Sequence, residues 1–143
     1  MTKKLLYLSV ALLVVSTLGM NACVGGASKV KLEDAVWKLE SYGEPDQLKS
    51  VLQGTEVTVE FVNAEGEVRG SGGCNSYSGS YEIDGSNLSI IPPLMSTAMS
   101  CSDPIDSQEY AFLQMLEAAE TYTIDGQQLT ITCGNKLLIF RQK

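Results

Sequence analysis

Residues 122–132 read Tyr-Thr-Ile-Asp-Gly-Gln-Gln-Leu-Thr-Ile-Thr, and this stretch decides the fold class. Apolar and polar side chains alternate on both sides of Asp125-Gly126, which is the period of a β-strand with one buried face. Asp-Gly is a strong hairpin signal because both residues tolerate the positive φ of a tight primed turn. The stretch therefore predicts two antiparallel strands joined by a short turn.

The same alternation recurs along most of the chain. The further alternating segments are 37–40, 57–61, 81–83, 88–90 and 138–140. Asp84-Gly85 is a second strong turn signal, and Gly134-Asn135 is a weaker one. About eight strands in succession predict a mainly-β domain, either a small antiparallel β-barrel or a strongly curled sheet. Closure of the barrel is favoured because it removes exposed edge strands.

One segment breaks the alternation. Asp103-Pro104 is typical of an N-cap followed by proline at the first helical position, and Asp106 follows near the positive end of the helix dipole. Apolar residues then recur at helical spacing, namely Phe112, Leu113, Leu116 and Ala119. We predict one α-helix over about 104–119. We expect it to cover the open end of the barrel or sheet, in preference to forming a groove for a partner.

The first 22 residues differ in composition from the rest. Lys3-Lys4 precede an almost wholly apolar run from Leu5 to Leu18, which is short for a transmembrane helix and typical of a secretory signal peptide. Residues 20–23, Met-Asn-Ala-Cys, resemble a bacterial lipobox, in which the cysteine is lipidated and becomes the N-terminus. The alternative is a soluble secreted protein cut near Ala22, with Cys23 a plain thiol.

This N-terminal pattern predicts the domain organisation and the location. We expect a signal peptide over 1–22, a lipidated N-terminus and tether over 23–34, and one domain over 35–143. The protein would then be anchored to a membrane of the cell envelope through lipid on Cys23, facing the extracytoplasmic side. Two or more acyl chains anchor a protein stably where one does not.

Charge and composition exclude several classes of function. The chain has 10 basic and 17 acidic residues, a net charge of −7, and no histidine. Ser-His-Asp or Cys-His catalysis and histidine-ligated metal sites are therefore excluded. An acidic chain is a poor nucleic-acid binder, so we expect no nucleic-acid partner. The mature chain would carry 8 basic and 17 acidic residues, a net charge of −9, which disfavours contact with anionic headgroups and leaves the lipid as the anchor.

The remaining cysteines are Cys74, Cys101 and Cys133. In an oxidising envelope one pair should form a disulfide, and spacing alone permits three pairings. Cys133 continues the inward face of Leu129 and Ile131, which predicts a buried, inert thiol. The cysteines lack the close spacing of zinc sites, so we expect neither a metal nor another cofactor.

No catalytic motif stands out among the other residues. Glu56, Glu60 and Glu82 lie opposite apolar strand faces and are expected to be solvated. Asp103, Asp106 and Glu109 crowd the start of the predicted helix, where we interpret them as capping residues. A pair of carboxylates facing a cleft across strands, as in a glycosidase, stays open as an alternative. The sequence contains neither a Gly-x-Ser-x-Gly elbow nor a phosphate-binding loop, and the prediction is that the protein is not an enzyme.

Two motifs carry a family resemblance. The first is Gly70 to Tyr81, which reads GSGGCNSYSGSY, and the second is Thr97-Ala98-Met99-Ser100-Cys101. With Trp37-Lys38-Leu39 and the helix residues from Glu109 to Leu116, they make residues 35–141 resemble the META / HslJ-like domain of bacterial envelope lipoproteins. The resemblance implies a lipocalin-topology barrel with one helix, and a disulfide between Cys74 and Cys101. It also implies a loose link to stress tolerance, with no established enzymatic activity.

Asn75, Tyr77, Thr97 and Met99 lie in the most specific motif stretches. They form either a recognition surface or a structural element, and we favour the second. Asn75 suits a turn among glycines, and the hydroxyl of a buried Tyr77 can reach a backbone acceptor. Thr97 can form a hydrogen bond to the same turn. We therefore predict a structural clasp that joins this turn to the segment before the helix.

Two functions of different classes fit these observations. The first is a non-catalytic, membrane-anchored interaction module whose partner is an envelope protein. The alternative is a lipocalin-type carrier of a small ligand, which a cavity of about 300 Å³ or more would favour. The side chains expected to point inward are bulky and predict a filled barrel. They are Trp37, Leu39, Phe61, Tyr81, Ile90, Phe112, Tyr122, Ile131 and Phe140.

Overall fold

The structure is a computed structural model that describes residues 30–63 and 65–143. The predicted signal peptide, Cys23 and most of the tether lie outside the described residues. A short 3₁₀ turn at Leu32–Asp34 precedes nine strands and one helix. The strands are β1 Val36–Gly43, β2 Lys49–Ser50, β3 Thr58–Val62, β4 Glu67–Ser71, β5 Ser76–Asp84, β6 Asn87–Ser96, β7 Thr121–Asp125, β8 Gln128–Cys133 and β9 Lys136–Gln142, and the helix is α1 Ile105–Glu117.

Eight of these strands form a closed antiparallel barrel, which confirms the predicted fold class. Each strand from β3 to β9 pairs with the next one along the chain, and β1 pairs with both β3 and β9 to close the cylinder. The two-residue β2 is added beside the end of β1, where Ser41 pairs with Ser50. The hairpin at residues 122–132 forms with Ile124 opposite Leu129, and Gly126 takes a φ of 58° in its turn.

The barrel has one weak seam, between β6 and β7. The two strands share a single register pair, Asn87 with Thr121. Helix α1 packs against β6 beyond this point, and the Glu117 carboxylate accepts a hydrogen bond from the Leu94 backbone N–H at 2.7 Å. The helix thus covers a stretch of the wall that strand pairing leaves open. Among the described residues, no helix is long and apolar enough to cross a membrane.

Large side chains fill the barrel axis. Trp37, Phe61, Phe112 and Phe140 are each completely buried. The Phe112 ring from α1 lies edge-on to Phe140, with centroids 6.4 Å apart, so the helix inserts an aromatic plug into the core. The Leu32 backbone carbonyl, in the 3₁₀ turn, accepts a hydrogen bond from the indole N–H of Trp37 at 2.8 Å. Tyr122, expected to point inward with the core residues, is only half-buried.

The helix start differs from the prediction. Helix α1 runs from Ile105 to Glu117, one residue shorter at its start and two at its end than expected, and Pro104 precedes it without a side-chain cap. Asp103 as the N-cap is therefore wrong. Its carboxylate instead accepts a hydrogen bond from the Ser107 hydroxyl at 2.6 Å. Asp106 accepts the backbone N–H of Cys101 at 3.1 Å, so it orients the preceding segment.

Candidate functional site

The carboxylate of Glu109 connects α1 to the motif loop between β4 and β5. One of its oxygens accepts the backbone N–H groups of Cys74 and Asn75, at 3.1 and 2.6 Å. The other accepts the side-chain amide of Asn75 at 2.6 Å. Glu109 is only 8% exposed, so these bonds form away from bulk water, where charge-assisted hydrogen bonds are strongest. The interpretation of Glu109 as a capping residue is wrong.

Asn75 connects this loop to the segment that precedes the helix. Its side-chain oxygen accepts the Thr97 hydroxyl and the Met99 backbone N–H, both at 2.8 Å. Its amide nitrogen donates to the Met99 carbonyl at 3.0 Å as well as to Glu109. An amide group offers two donors and two acceptor sites, and all four are engaged here. We call Asn75, Thr97, the Met99 backbone and Glu109 the clasp.

A glycine makes room for the clasp. A Cβ added at Gly72 would lie 2.5 Å from the nearer Glu109 oxygen, which is closer than any real contact of that kind. Gly70 is similarly confined, because a Cβ there would overlap the Thr58 carbonyl oxygen. The glycine cluster therefore permits close approach of the chain beneath the helix.

A disulfide closes the clasp on its outer side. Cys74 and Cys101 are bonded, with their Cα atoms 6.2 Å apart and a sequence separation of 27. The ligand atoms of Cys74, Cys101 and Asp106 all lie within 4.8 Å of one another. Because both sulfurs are in the disulfide, neither is a thiolate, and this group offers a metal ion only one carboxylate.

Tyr77 lies beneath the clasp and belongs to the core. Its hydroxyl donates to the Thr58 carbonyl at 2.8 Å, and its ring lies edge-on to Phe112. Burial raises the pKa of Tyr77 well above its ordinary value, so the phenol stays protonated. The side chain of Met99, by contrast, is 61% exposed, and only its backbone takes part in the clasp.

Gln108, beside Glu109, was not singled out from the sequence. Its side-chain oxygen accepts the Leu52 backbone N–H at 2.7 Å, and its nitrogen donates to the Thr55 hydroxyl at 3.0 Å.

Glu109 shares the helix face of Phe112 and Leu116, at spacings of three and seven residues. A carboxylate on an apolar helix face is the signal that could have identified Glu109 as buried.

The clasp has no group left over for a ligand. Within residues 30–63 and 65–143, every buried side-chain nitrogen and oxygen has a hydrogen-bond partner. The strand carboxylates Glu56 and Glu60 lie in exposed ion pairs with Lys143 and Arg69. Lys143 holds the pKa of Glu56 below its ordinary value, and Glu82 is exposed. The geometry of the clasp is therefore that of a structural joint.

Cys133, at the end of β8, is 5% exposed and is a free thiol. Burial raises the pKa of Cys133 from 9.0 to about 12, and the nearby Glu120 charge adds to the shift. Because the thiolate is the reactive form, this cysteine is unreactive at neutral pH.

Clefts on the outside of the barrel include three, within residues 30–63 and 65–143, with volumes of about 650, 560 and 430 Å³. The cleft of about 650 Å³, which we call the helix cleft, lies between α1, the end of β1 with β2, and the β8–β9 turn. Tyr110, Ala111 and Met115 line it from the helix, and Tyr42 lines it from β1. Lys49 and Lys136 also line it.

A small antiparallel barrel closed by one helix, with its motif residues in a structural clasp, defines the class of protein. The META domain family model matches residues 30–143, and the chain belongs to this family. No curated protein matches the chain significantly.

Solved structures share the fold. A protein from Burkholderia xenovorans, determined by NMR, is 26% identical with a TM-score of 0.67, covering 78% of this chain and 83% of its own. A second NMR structure is 22% identical with a TM-score of 0.60, over 77% and 90% of the two chains. A DUF4847 family protein from Bacteroides vulgatus, determined by crystallography, is 16% identical with a TM-score of 0.56, over 77% and 93%.

Proposed function

We propose that this META-domain protein is a non-catalytic binding module, anchored by lipid to a membrane of the cell envelope, and that it binds through its outer surface. One observation carries the proposal. The chain's own side chains occupy both the barrel interior and the motif region, as Trp37, Phe61 and Phe140 at the core and Asn75 in the clasp illustrate. A partner therefore meets the outside of the barrel.

The anchor rests on the N-terminal sequence. A basic and apolar leader over 1–22 is followed by Ala22-Cys23, the pattern that precedes lipidation. The short run Val24 to Ser28, which contains two glycines, is suited to a flexible tether. A net charge of −7 gives the chain no electrostatic attraction to anionic lipid, so the membrane contact is assigned to acyl chains.

The proposal that the protein is non-catalytic rests on the chemistry of its side chains. The chain has no histidine, and the one free thiol of the described residues has a pKa near 12. The buried carboxylate of Glu109 is held by three N–H donors and has no open space for a substrate. A role in stress tolerance accords with the resemblance to envelope lipoproteins of this family.

Crosslinking in intact cells, followed by solubilisation of membranes and affinity purification of the full chain, tests the function. We expect a specific envelope protein to co-purify and intact mass to show a lipidated N-terminus at Cys23. Cys23→Ser is the matched control and should move the protein to the soluble fraction. An unmodified chain in the soluble fraction would contradict the anchor, and recovery of no specific partner or ligand would contradict the module.

A small-ligand carrier is the second candidate, and the helix cleft favours it. Its volume of about 650 Å³ falls within the range of roughly 300–1,000 Å³ found for small-molecule sites. The ligand would then lie beside the barrel and not within it, unlike the lipocalin arrangement. Recovery of a bound metabolite in place of a protein from the same purification would support this candidate.

A further inference from the structure

We infer that the helix cleft is a binding site for a small amphipathic anion, a carboxylate attached to an aromatic or branched apolar body. The inference rests on the proposed function, in which binding occurs on the outer surface, and it deepens the second candidate, the small-ligand carrier, because it names the site and the ligand chemistry. The site is separate from the clasp, because no clasp residue lines the helix cleft. The residues that would bind the ligand are Tyr42, Lys49, Tyr110, Met115 and Lys136.

The first observation behind the inference concerns the charged side chains that line the helix cleft. Lys38, Arg69, Arg141 and Lys143 each form an ion pair with a glutamate. Lys49 and Lys136 have no ion-pair partner among the described residues, and both line the helix cleft. In a chain with 17 acidic and 10 basic residues, two lysines left without carboxylates beside one cavity form a local positive site.

The two other clefts described above lack this property. The cleft of about 560 Å³ contains Arg69, but Glu60 and Glu67 already engage its guanidinium group. The cleft of about 430 Å³ is lined by Glu82, Asp84 and Glu120 and by no cation. Of these three clefts, the helix cleft therefore accommodates an anion best.

The one carboxylate of the helix cleft is already engaged. Glu44 lines the cleft and accepts a hydrogen bond from the side-chain amide of Asn135 at 3.3 Å. This contact holds it at the β8–β9 turn. Two lysines against one glutamate leave the cleft with a net positive charge.

The second observation concerns the apolar side chains that line the helix cleft. Tyr110 is 69% exposed, so its ring presents an accessible aromatic surface to the cleft that it lines. Met115, which is buried, and Ala111 form an apolar wall beside it. An aromatic or branched body can pack against these side chains while its carboxylate faces the lysines, since such sites combine apolar walls with a few polar groups.

The test measures binding of two probes that differ only in charge. Fluorine NMR titrations use the full chain in detergent micelles, with a trifluoromethyl-biphenyl carboxylate and its uncharged carboxamide, and empty micelles give the background. We expect saturable binding of the carboxylate, about tenfold tighter than that of the carboxamide, because two exposed charge contacts together contribute about a factor of ten.

Variants locate the site. The double substitution Lys49→Gln and Lys136→Gln should weaken carboxylate binding to the level of the carboxamide and leave carboxamide binding unchanged. Lys31→Gln is the matched control, since Lys31 is exposed and does not line the cleft. Tyr110→Ser should weaken both probes. An unchanged urea midpoint in each variant shows that the fold is retained.

Three results would overturn the inference: no binding of the carboxylate, equal binding of both probes, or full binding by the double lysine variant. Its failure is distinguishable from failure of the proposed function. If the lipidated chain and its crosslinked partner survive the double lysine substitution and the carboxylate does not bind, the module stands and this site does not. If the carboxylate binds but the chain is soluble and unmodified, the site stands and the anchored module does not.

Discussion

Glu109 of the helix holds Asn75 of the β4–β5 loop through two hydrogen bonds of 2.6 Å, one from the backbone N–H and one from the side-chain amide. The two residues are 34 apart in sequence. Through Asn75 the helix also reaches Thr97 and Met99, so a single carboxylate orders three separate segments. The motif that identifies the family is therefore explained by the fold it stabilises.

Replacement of Glu109 by glutamine should destabilise the domain severely. The glutamine nitrogen would face N–H donors in place of an oxygen, and at least one buried donor would lose its partner. We expect a loss of about 3 kcal/mol in the free energy of unfolding, measured by urea denaturation. Glu120→Gln, an exposed control, should change it by less than about 0.5 kcal/mol. Equal midpoints for the two variants would contradict the buried role of Glu109.

Gly72 and Glu109 should be energetically coupled. Gly72→Ala places a methyl group 2.5 Å from the Glu109 carboxylate and should displace it, at about 2 kcal/mol. In a Glu109→Ala background the same change should have a smaller effect, with a coupling energy of about 1 kcal/mol or more in a double-mutant cycle. Gly85→Ala is the control. No atom lies within 4 Å of its added Cβ, so its strain at a φ of +61° should simply add to the effect of Glu109→Ala.

The sequence predicted the barrel well and the clasp partly, for physical reasons. Strand alternation and Asp125-Gly126 are local signals, and the β7–β8 hairpin formed as they indicate. The role of Glu109 depends on a loop 35 residues away, and no local pattern reports that contact. The helix cleft brings together Tyr42, Tyr110 and Lys136 from three distant segments, so only the folded chain defines it.

The cysteines of the mature chain should differ in reactivity. Alkylation under denaturing, non-reducing conditions should label Cys133 and leave Cys74 and Cys101 unlabelled, as mass spectrometry of peptides would show. Without denaturant, Cys133 should also stay unlabelled at neutral pH because it is buried. Cys74→Ser with Cys101→Ser should lower stability by roughly 3–4 kcal/mol, the value expected for a loop of this length. Labelling of Cys74 without reductant would contradict the pairing.

Alkaline pH should unfold the domain through its buried acids. Burial raises the pKa of Cys133 from 9.0 to about 12, so the folded state keeps a proton that the unfolded state releases. The resulting stability is fully present below about pH 9 and is lost as the pH rises towards 12. Tyr77 acts in the same direction above pH 10. Between pH 8 and 11, the urea midpoint should fall less steeply with pH in Cys133→Ala than in wild type. Tyr110→Phe, the control, should match wild type. Equal slopes for Cys133→Ala and wild type would contradict the role of Cys133.

The urea unfolding midpoint of Asn75→Ala tests the central claim most directly, which is that the family motif is a structural clasp and not a recognition surface. The substitution removes four hydrogen bonds, and one Glu109 oxygen and the Met99 backbone N–H and carbonyl lose the partner that Asn75 supplied. We predict a loss of about 3 kcal/mol, with a smaller loss of about 1 kcal/mol for Thr97→Val, because Met99 still donates to Asn75 there. An Asn75→Ala midpoint equal to that of wild type, together with loss of the crosslinked partner, would contradict the clasp and assign the motif to recognition.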